Sequence, residues 1–179
     1  DLITANQTDN TVSVLLGIGD GTFGAQTTYL VGSLPWTVTT ADVNGDGRAD
    51  LIVANSGDDT VSVLLGIGDG TFGMQATFAA GSAPVSVTAA DVNHDGRADL
   101  ITANDLDNTV SVLLNKTGAG AATPAFATQK TFTTGASPNS LGLEDINGDG
   151  KPDLVVSNQG DNTVSLLLNT TGAGATTPT

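Results

Sequence analysis

The feature that most constrains this chain is an internal repeat. Residues 1–49 align with residues 50–98 without a gap, and each unit runs from an aspartate to an alanine. A third unit spans residues 99–152, and residues 153–179 form an incomplete fourth. A chain with such a period buries its apolar faces by stacking each unit on the next. We therefore treat residues 1–179 as one repeat region.

Each unit carries four short apolar runs that turn residues separate. In the second unit these runs are residues 51–55, 60–65, 75–80 and 85–91. They are rich in Val, Thr and Leu and are bounded by Gly, Asn, Asp or Pro, which is typical of β-strands. Four antiparallel strands make one blade of a β-propeller. The sequence therefore predicts an all-β fold with about three and a half such blades.

The phase of the repeat predicts how the strands are shared among the blades. Thr179 aligns with Ala125, and Asp1 aligns with Asp153. We expect blades of three, four, four and three strands, and closed propellers have about four to eight blades. Unpaired strand edges associate readily with other chains. We therefore expect covalently attached further repeats, or self-association into a ring or filament, to complete the end blades.

Three segments share one nine-residue pattern of oxygen-bearing residues. Positions 1, 3, 5, 7 and 9 are Asp42, Asn44, Asp46, Arg48 and Asp50 in the first copy, Asp91, Asn93, Asp95, Arg97 and Asp99 in the second, and Asp145, Asn147, Asp149, Lys151 and Asp153 in the third. Calcium takes about six to eight oxygen ligands. Side chains at positions 1, 3, 5 and 9 and the backbone carbonyl at position 7 can supply them. Glycine at position 6 allows the sharp turn.

An alternative interpretation is that Asp, Asn and Gly merely form tight turns here. Three copies in register argue against it, because carboxylates held this close repel one another without a cation. The chain has 19 acidic and 5 basic residues and a formal net charge of −14, which bound calcium would reduce. We predict about three complete Ca²⁺ sites, with Asp1 as the remnant of a fourth.

The unit resembles the FG-GAP repeat of integrin α-subunit propellers and the related VCBS-type repeats of bacterial surface and secreted proteins. The motifs that carry the resemblance are Phe23-Gly24 and Phe72-Gly73, followed by Gly-Ser-Leu-Pro at 32–35, Gly-Ser-Ala-Pro at 81–84 and Gly-Ala-Ser-Pro at 135–138. In that family the nine-residue loop joins adjacent strands of a blade and binds calcium, which implies the same for the loop residues above. The third unit has Ala125-Phe126-Ala127 in place of an FG pair, so we expect this turn to differ locally.

No catalytic residue is predicted. The only histidine, His94, has no His or Cys partner and is expected to be a solvated turn residue. Glycoside hydrolysis needs two acidic groups, but nearly all candidates are assigned to the loops, and Glu144 is expected at a strand end. Trp36 and Tyr29 could stack on a sugar. Neither recurs in the other units, so we expect both to pack.

Three asparagines, Asn6, Asn115 and Asn169, begin N-glycosylation sequons. In a chain so rich in Asn and Thr, such matches are expected by chance. They would matter only in an organism that glycosylates its exported proteins.

The composition narrows the class of function. A charge of −14 cannot neutralise phosphates, which argues against nucleic acid, and no apolar run approaches the roughly 20 residues of a membrane span. The chain has no cysteine, which excludes disulfides and thiolate metal sites.

The leading hypothesis is a non-enzymatic, calcium-stabilised module that is secreted or on the cell surface. It would serve adhesion or structural assembly, with surface proteins or glycans as ligands and a surface filament as one form. The alternatives are a carbohydrate-binding propeller lectin and a non-catalytic part of a larger secreted enzyme.

Overall fold

Every regular element of the protein is a β-strand. The computed structural model describes residues 1–179 and contains fourteen strands and no helix. The strands are β1 (Leu2–Asn6), β2 (Thr11–Leu15), β3 (Thr27–Leu30), β4 (Pro35–Ala41), β5 (Asp50–Asn55), β6 (Thr60–Leu64), β7 (Ala76–Ala79), β8 (Pro84–Ala90), β9 (Asp99–Asn104), β10 (Thr109–Leu113), β11 (Lys130–Thr133), β12 (Pro138–Glu144), β13 (Asp153–Asn158) and β14 (Thr163–Leu167). This confirms the all-β prediction, and the strands of the second unit begin and end within one residue of the predicted runs. The structure therefore contains no helix long and apolar enough to cross a membrane.

The strands form four antiparallel sheets, which we call blades 1 to 4. Their orders are β1-β2-β3, β4-β5-β6-β7, β8-β9-β10-β11 and β12-β13-β14. This confirms the predicted distribution of three, four, four and three strands. The first strands of blades 2, 3 and 4, which are β4, β8 and β12, lie beside one another. The blades thus stack in chain order, and the stack does not close on itself.

The hydrophobic core lies between the blades. Successive side chains of a strand point to opposite faces of its sheet, so Val12 and Val14 of blade 1 face Leu51 and Val53 of blade 2. Two further clusters repeat this arrangement between blades 2 and 3 and between blades 3 and 4. Full burial of one such side chain contributes about 1.5–3 kcal/mol. Stacking of the blades is therefore the main source of apolar burial.

The glycine that begins each Gly-X-X-Pro motif packs directly against a buried asparagine of the next blade. In blade 2, Asn55 donates hydrogen bonds to Thr60 Oγ1 (3.0 Å) and Ser62 Oγ (2.8 Å). A Cβ atom added to Gly32 would lie 2.6 Å from the Asn55 amide. The same contact recurs in blades 3 and 4, so only glycine fits at this point of the repeat. The backbone can then cross from one blade to the next.

The phenylalanine of the Phe-Gly pair, and its counterpart Phe126 in the third unit, form the same isolated β-bridge in all three units. Phe72 forms an isolated β-bridge with Gly66, and Phe126 forms the equivalent bridge with Asn115. The connection enclosed by the second bridge is longer by five residues. The expected local difference in the third unit is therefore confined to this longer connection, and the bridge itself is retained.

The packing prediction holds for Tyr29 but is wrong for Trp36. Tyr29 packs edge-on against Phe72, with the ring centroids 5.4 Å apart. Trp36 is 52% exposed and lies where the pairing of β4 with β5 shifts register, between Pro35 and Thr37. The same register shift occurs in blade 3 between Pro84 and Ser86, where Val85 is buried, so the shift alone does not account for the exposure of Trp36.

The two ends of the stack expose apolar faces that are buried elsewhere. In blade 4, Val164 is 66% and Leu166 is 52% exposed, whereas their counterparts Val110 and Val112 in blade 3 are buried. At the other end Leu2 is half exposed. The exposed faces are those that a preceding or following blade covers inside the stack.

Candidate metal-binding loops

Each nine-residue loop joins the first and second strands of a blade. Residues 42–50 connect β4 to β5, residues 91–99 connect β8 to β9, and residues 145–153 connect β12 to β13. Because these strand pairs are antiparallel neighbours, the loops recur at the same end of blades 2, 3 and 4. This is the location that the family resemblance implied.

The aspartate at position 1 holds the turn together. Asp42 accepts hydrogen bonds from the backbone N–H of Asp46 (3.2 Å) and of Gly47 (2.8 Å). Asp91 and Asp145 accept the equivalent bonds in the other two loops. Gly47 has a φ of 81°, which L side chains rarely adopt. The loop is thus a tight turn wrapped around one carboxylate.

Further hydrogen bonds link the residues at positions 3, 5 and 7 of the loop. Asn44 Oδ1 accepts the N–H of Asp46 (3.2 Å), and Asp46 Oδ1 accepts the N–H of Arg48 (2.9 Å). The side chain at position 7 folds back on position 5, most closely in the second loop, where Arg97 Nη2 lies 2.8 Å from Asp95 Oδ2. Exposed pairs of this kind contribute at most about 1 kcal/mol.

The aspartate at position 9 faces the blade. Asp50 is fully buried, and its two oxygens accept the N–H groups of Val43 (2.8 Å) and Gly66 (2.8 Å). Asp99 and Asp153 make the same pair of bonds in blades 3 and 4. Position 9 therefore fixes both the start of the loop and the chain just after the third strand of the blade, before the turn that carries the Phe-Gly pair.

Burial raises the pKa of two position-9 carboxylates, Asp50 and Asp99. Burial raises the pKa of Asp99 to about 6, although the backbone hydrogen bonds that it accepts act in the opposite direction. The carboxylates of Asp95 and Asp91 raise it further. Burial raises the pKa of Asp50 in the same way, with two loop carboxylates adding to the effect. A nearby cation would favour the charged form of these groups.

The donor set fits a hard cation. Each loop offers two carboxylates, one amide oxygen and one backbone carbonyl at positions 1, 3, 5 and 7, and calcium is bound by oxygen ligands of this kind. No three acidic or histidine side chains converge on one point in the structure. Carboxylate oxygens have spare lone pairs for a metal while they accept one hydrogen bond, and this holds for position 9 as well as for position 1. The side chains at positions 1, 3, 5 and 9 and the carbonyl at position 7 are therefore the groups that would hold an ion.

The structure also shows the positions of Asp1, His94 and Glu144, which the sequence analysis singled out. Asp1 Oδ1 accepts the N–H of Gly17 (2.8 Å), which is the bond that position 9 makes elsewhere. His94 is exposed and has a φ of 52°, so it is a solvated turn residue as predicted. Glu144 is the last residue of β12 and is exposed, which confirms its expected position at a strand end.

Sequence reasoning missed an asparagine that ties each loop to the next blade. Asn115, in the β10–β11 connection of blade 3, donates hydrogen bonds to the carbonyls of Val43 (2.8 Å) and Ala98 (2.9 Å). In return Asn44 donates a bond to the carbonyl of Ala121 (3.1 Å). The connection therefore covers the loop of blade 2.

The same tie joins blades 3 and 4. Asn169 donates a hydrogen bond to the carbonyl of Val92 (2.8 Å), and Asn93 donates one to the carbonyl of Ala175 (2.9 Å). Asn93 is consequently buried, whereas Asn147 in the third loop is exposed. The sequence signal was the recurring Asn-X-Thr-Gly-Ala-Gly-Ala-X-Thr-Pro at residues 115–124 and 169–178.

All three sequon asparagines use their side-chain nitrogen inside the protein. Asn115 and Asn169 donate to the loop carbonyls, and Asn6 donates to Thr11 Oγ1 (3.0 Å) and Ser13 Oγ (2.6 Å). A glycan is attached at this nitrogen, so the folded protein has structural uses for these residues that compete with glycosylation.

Sequential antiparallel sheets of three or four strands, with the same loop between the first and second strands of blades 2, 3 and 4, define a propeller-type repeat protein. The model of the FG-GAP-like repeat matches residues 1–53, 42–102 and 95–156, and that of the FG-GAP repeat matches residues 137–177. The chain belongs to the FG-GAP repeat family. Repeats of this family are typical of extracellular or surface proteins.

Two solved structures are similar in fold. One is a functionally unknown protein from Desulfotomaculum acetoxidans DSM 771, with 16% identity, a TM-score of 0.53, and coverage of 93% of this chain and 54% of that chain. The other is an Agrocybe aegerita lectin described as recognising non-reducing terminal N-acetylglucosamine, with 22% identity, a TM-score of 0.53, and coverage of 88% and 46%. The chain thus spans about half the length of these structures, and the likeness shows the fold alone. No curated protein matches the chain.

Proposed function

We propose that this protein is a non-enzymatic, extracellular repeat module whose loops bind Ca²⁺ and which serves adhesion or structural assembly. The observation that carries the proposal is the recurrence of one oxygen-only loop at the same end of blades 2, 3 and 4. Extracellular modules function with calcium Kd values of about 10⁻⁴–10⁻³ M. Even weak sites of this kind would be occupied outside the cell.

The loop residues would bind the ion and also attach the loop to its blade. Asp42, Asn44, Asp46 and Asp50 would bind the ion together with the carbonyl of Arg48, and Asp50 also anchors the loop to its blade. When bound, the ion would neutralise the crowded carboxylates. It would also stiffen the loop that Asn115 and its neighbours cover, so that metal binding reinforces the contact between blades 2 and 3.

A non-catalytic role is supported by what the polar side chains already do. The single histidine is exposed in a turn, and the aspartates at loop positions 1, 5 and 9 all accept backbone hydrogen bonds. General acid–base and nucleophilic catalysis need a paired nucleophile and base or two free carboxylates. The polar residues of these loops instead serve to fix the backbone.

Assembly is supported by the exposed end faces. Val164 and Leu166 in blade 4 form an exposed apolar surface, whereas the equivalent residues in blade 3 are buried. Exposed apolar patches of this kind mark interaction sites. The partners we propose are further repeats attached in the same polypeptide, or other copies of the chain in a ring or surface filament.

Carbohydrate binding is the second candidate, because the fold is similar to that of a lectin and Trp36 is half exposed. Titration with N-acetylglucosamine tests it through the fluorescence of Trp36, the only tryptophan. A saturable change that Trp36→Ala abolishes would favour a lectin. An unchanged spectrum at millimolar sugar would leave the assembly role as the better account.

Calcium binding is tested directly by isothermal titration calorimetry of metal-stripped protein. We expect about three equivalents of Ca²⁺ and loss of one equivalent in Asp46→Ala. The matched control is Asp20→Ala, because Asp20 is an exposed aspartate outside the loops that accepts hydrogen bonds from Thr22. Absence of binding heat, or equal stoichiometry in both variants, would contradict the proposal.

A further inference from the structure

Position 3 is the one side-chain position of the metal loop that carries an amide instead of a carboxylate. It is Asn44 in blade 2 and Asn93 in blade 3, whereas positions 1, 5 and 9 are aspartates. Both asparagines are buried, at 4% and 2% exposure, although Asp42 at position 1 of the first of these loops is exposed. A buried polar side chain needs hydrogen-bond partners, and part of those at position 3 lie outside the loop.

The next blade supplies two of these partners. In the β10–β11 connection of blade 3, the carbonyl of Ala121 accepts a hydrogen bond of 3.1 Å from Asn44 Nδ2. In the same connection, the N–H of Gly120 donates a bond of 2.7 Å to the Asn44 carbonyl. Asn93 makes the same two bonds with the segment after β14 in blade 4. The contact is thus repeated at two interfaces between blades.

This contact determines which atom of the amide faces the loop. A backbone carbonyl only accepts hydrogen bonds, so the carbonyl of Ala121 has to meet the NH₂ group of Asn44. The amide oxygen is thereby directed into the loop, where Asn44 Oδ1 accepts the N–H of Asp46 at 3.2 Å. Oxygen is the atom that calcium binds. The next blade therefore turns the metal-binding atom of position 3 into the loop.

An aspartate could not replace Asn44 in this contact. Both oxygens of a carboxylate are acceptors, so one of them would face the Ala121 carbonyl with no hydrogen between them. Burial adds to the cost, because a buried charge without a partner is strongly disfavoured. The contact with the next blade thus explains why position 3 carries an amide, although a carboxylate would offer a cation more negative charge.

Asn115 holds the connection against the loop. Its side-chain amide donates a hydrogen bond of 2.8 Å to the carbonyl of Val43, the residue before Asn44. Its backbone N–H donates a bond of 2.7 Å to Asp99 Oδ1 in its own blade. Asn115 is 1% exposed. It therefore fixes the connection of blade 3 relative to the loop of blade 2.

The connection leaves room beside the loop that it covers. Asp42 and Asn44 line a cavity of about 190 Å³, together with Arg97, Thr117 and Ala119. This volume has space for several water molecules, and calcium sites commonly include water among their ligands. The connection therefore orients Asn44 without filling the space in which an ion would complete its coordination.

We propose that the β10–β11 connection of blade 3 is the second half of the metal site of blade 2, in which Asn115 and the Ala121 carbonyl position the amide oxygen of Asn44. Asn115 acts through Asn44 and is a positioning residue, not a ligand. The segment after β14 does the same for Asn93. This inference rests on the proposed function and deepens it, because it makes the calcium affinity of one blade depend on the next.

The first test compares two Asn-to-Asp exchanges in the full chain in EDTA. Asn44→Asp places a carboxylate against the Ala121 carbonyl. Asn108→Asp is the matched control, because Asn108 Oδ1 accepts the N–H of Ser137 and the equivalent residue of blade 2, Asp59, makes the same bond. We expect the Asn44→Asp protein to melt about 4 °C or more below the control. Equal melting temperatures would overturn the inference.

The second test removes the connection and leaves the loop of blade 2 unchanged. Residues 115–125 are replaced by Gly-Ile-Gly-Asp-Gly-Thr, which is the shorter connection at residues 66–71. Gly66 makes the same backbone bond to Asp50 that Asn115 makes to Asp99, so the loop of blade 3 keeps its anchor. Calorimetric titration should show one Ca²⁺ site weakened about tenfold or more and the others unchanged. Unchanged affinity at every site would overturn this inference alone, whereas absence of calcium binding in the unmodified chain would overturn the proposed function as well.

The shorter connection should also remove the penalty of Asn44→Asp. Without the Ala121 carbonyl opposite, a carboxylate at position 3 meets no acceptor from the next blade and adds a charged ligand. We expect Asn44→Asp in the exchanged chain to lower the melting temperature in EDTA by less than about 2 °C and to raise the calcium affinity. A decrease as large as in the full chain would show that the penalty arises within the loop itself, which would overturn the inference. The comparison in the full chain stands even where the exchanged chain does not fold.

Discussion

The side-chain amide of Asn115 donates a hydrogen bond of 2.8 Å to the backbone carbonyl of Val43, across 72 residues of sequence. The bond links the β10–β11 connection of blade 3 to the loop of blade 2. Asn169 makes the equivalent bond to Val92 between blades 4 and 3. The loops of this protein are therefore part of the interface between blades, as well as candidate metal sites.

Replacement of this asparagine should weaken the stack. Asn115→Ala leaves the buried carbonyl of Val43 and the partly buried carbonyl of Ala98 without their donors, and loss of a buried partner costs about 1–3 kcal/mol. We expect a decrease of about 2–4 kcal/mol in the free energy of unfolding, measured by urea denaturation. The control is Lys116→Ala, since Lys116 is an exposed neighbour. Equal stability of the two variants would show that the bond contributes nothing.

The glycine of the second motif should tolerate no side chain. In Gly81→Ala the new Cβ would lie 2.5 Å from Asn104 Nδ2, and overpacking of this kind destabilises by about 1–3 kcal/mol. Gly118→Ala is the matched control, because nothing lies within 4 Å of its Cβ position. Thermal melts should show a clear decrease only for Gly81→Ala. A decrease of the same size in both variants would refute the role assigned to the Asn104 contact.

A phenylalanine that packs against a second ring should contribute more to the free energy of unfolding than one that does not. Phe126→Ala removes the ring that packs on Phe78 and leaves a cavity between blades 2 and 3, so we expect a loss of about 3 kcal/mol. Phe23 is 41% exposed and forms no aromatic pair, so Phe23→Ala should cost less than about 1 kcal/mol. Urea denaturation of the two variants provides the comparison. A Phe126→Ala protein as stable as the Phe23→Ala protein would contradict it.

Most of the fold could be predicted from the sequence because the repeat is nearly exact. Short apolar runs bounded by turn residues located the strands, and the phase of the repeat predicted their distribution among the blades. The loop pattern identified residues that the structure places in one tight turn. That part of the prediction depends only on local sequence.

The contacts between blades could not be predicted in the same way. The bond from Asn115 to Val43 depends on how two blades stack, and the hydrogen bond that the position-9 carboxylate accepts from Gly66 depends on how the strands of one blade are arranged. Trp36 is half exposed although its counterpart Val85 in the next unit is buried, and no local pattern distinguishes the two positions. These features follow from tertiary geometry.

The second loop offers a test of how independent the metal sites are. Asp95→Ala removes one carboxylate from position 5 of that loop, and we expect it to weaken a single site while the other two keep their affinity for Ca²⁺. Calorimetric titration compares it with the unmodified chain. Loss of all three equivalents at once would show that the sites are cooperative through the blade contacts.

The central claim is that calcium stabilises this fold, and thermal unfolding with and without chelator tests it most directly. A ligand at tenfold excess over its Kd stabilises by about 1.4 kcal/mol per site, so three sites should raise the melting temperature by about 10 °C. Magnesium should restore less, because it requires near-octahedral geometry and gives up its waters reluctantly. Melting in Ca²⁺ well above melting in EDTA is the predicted result, and superimposable curves would contradict the account.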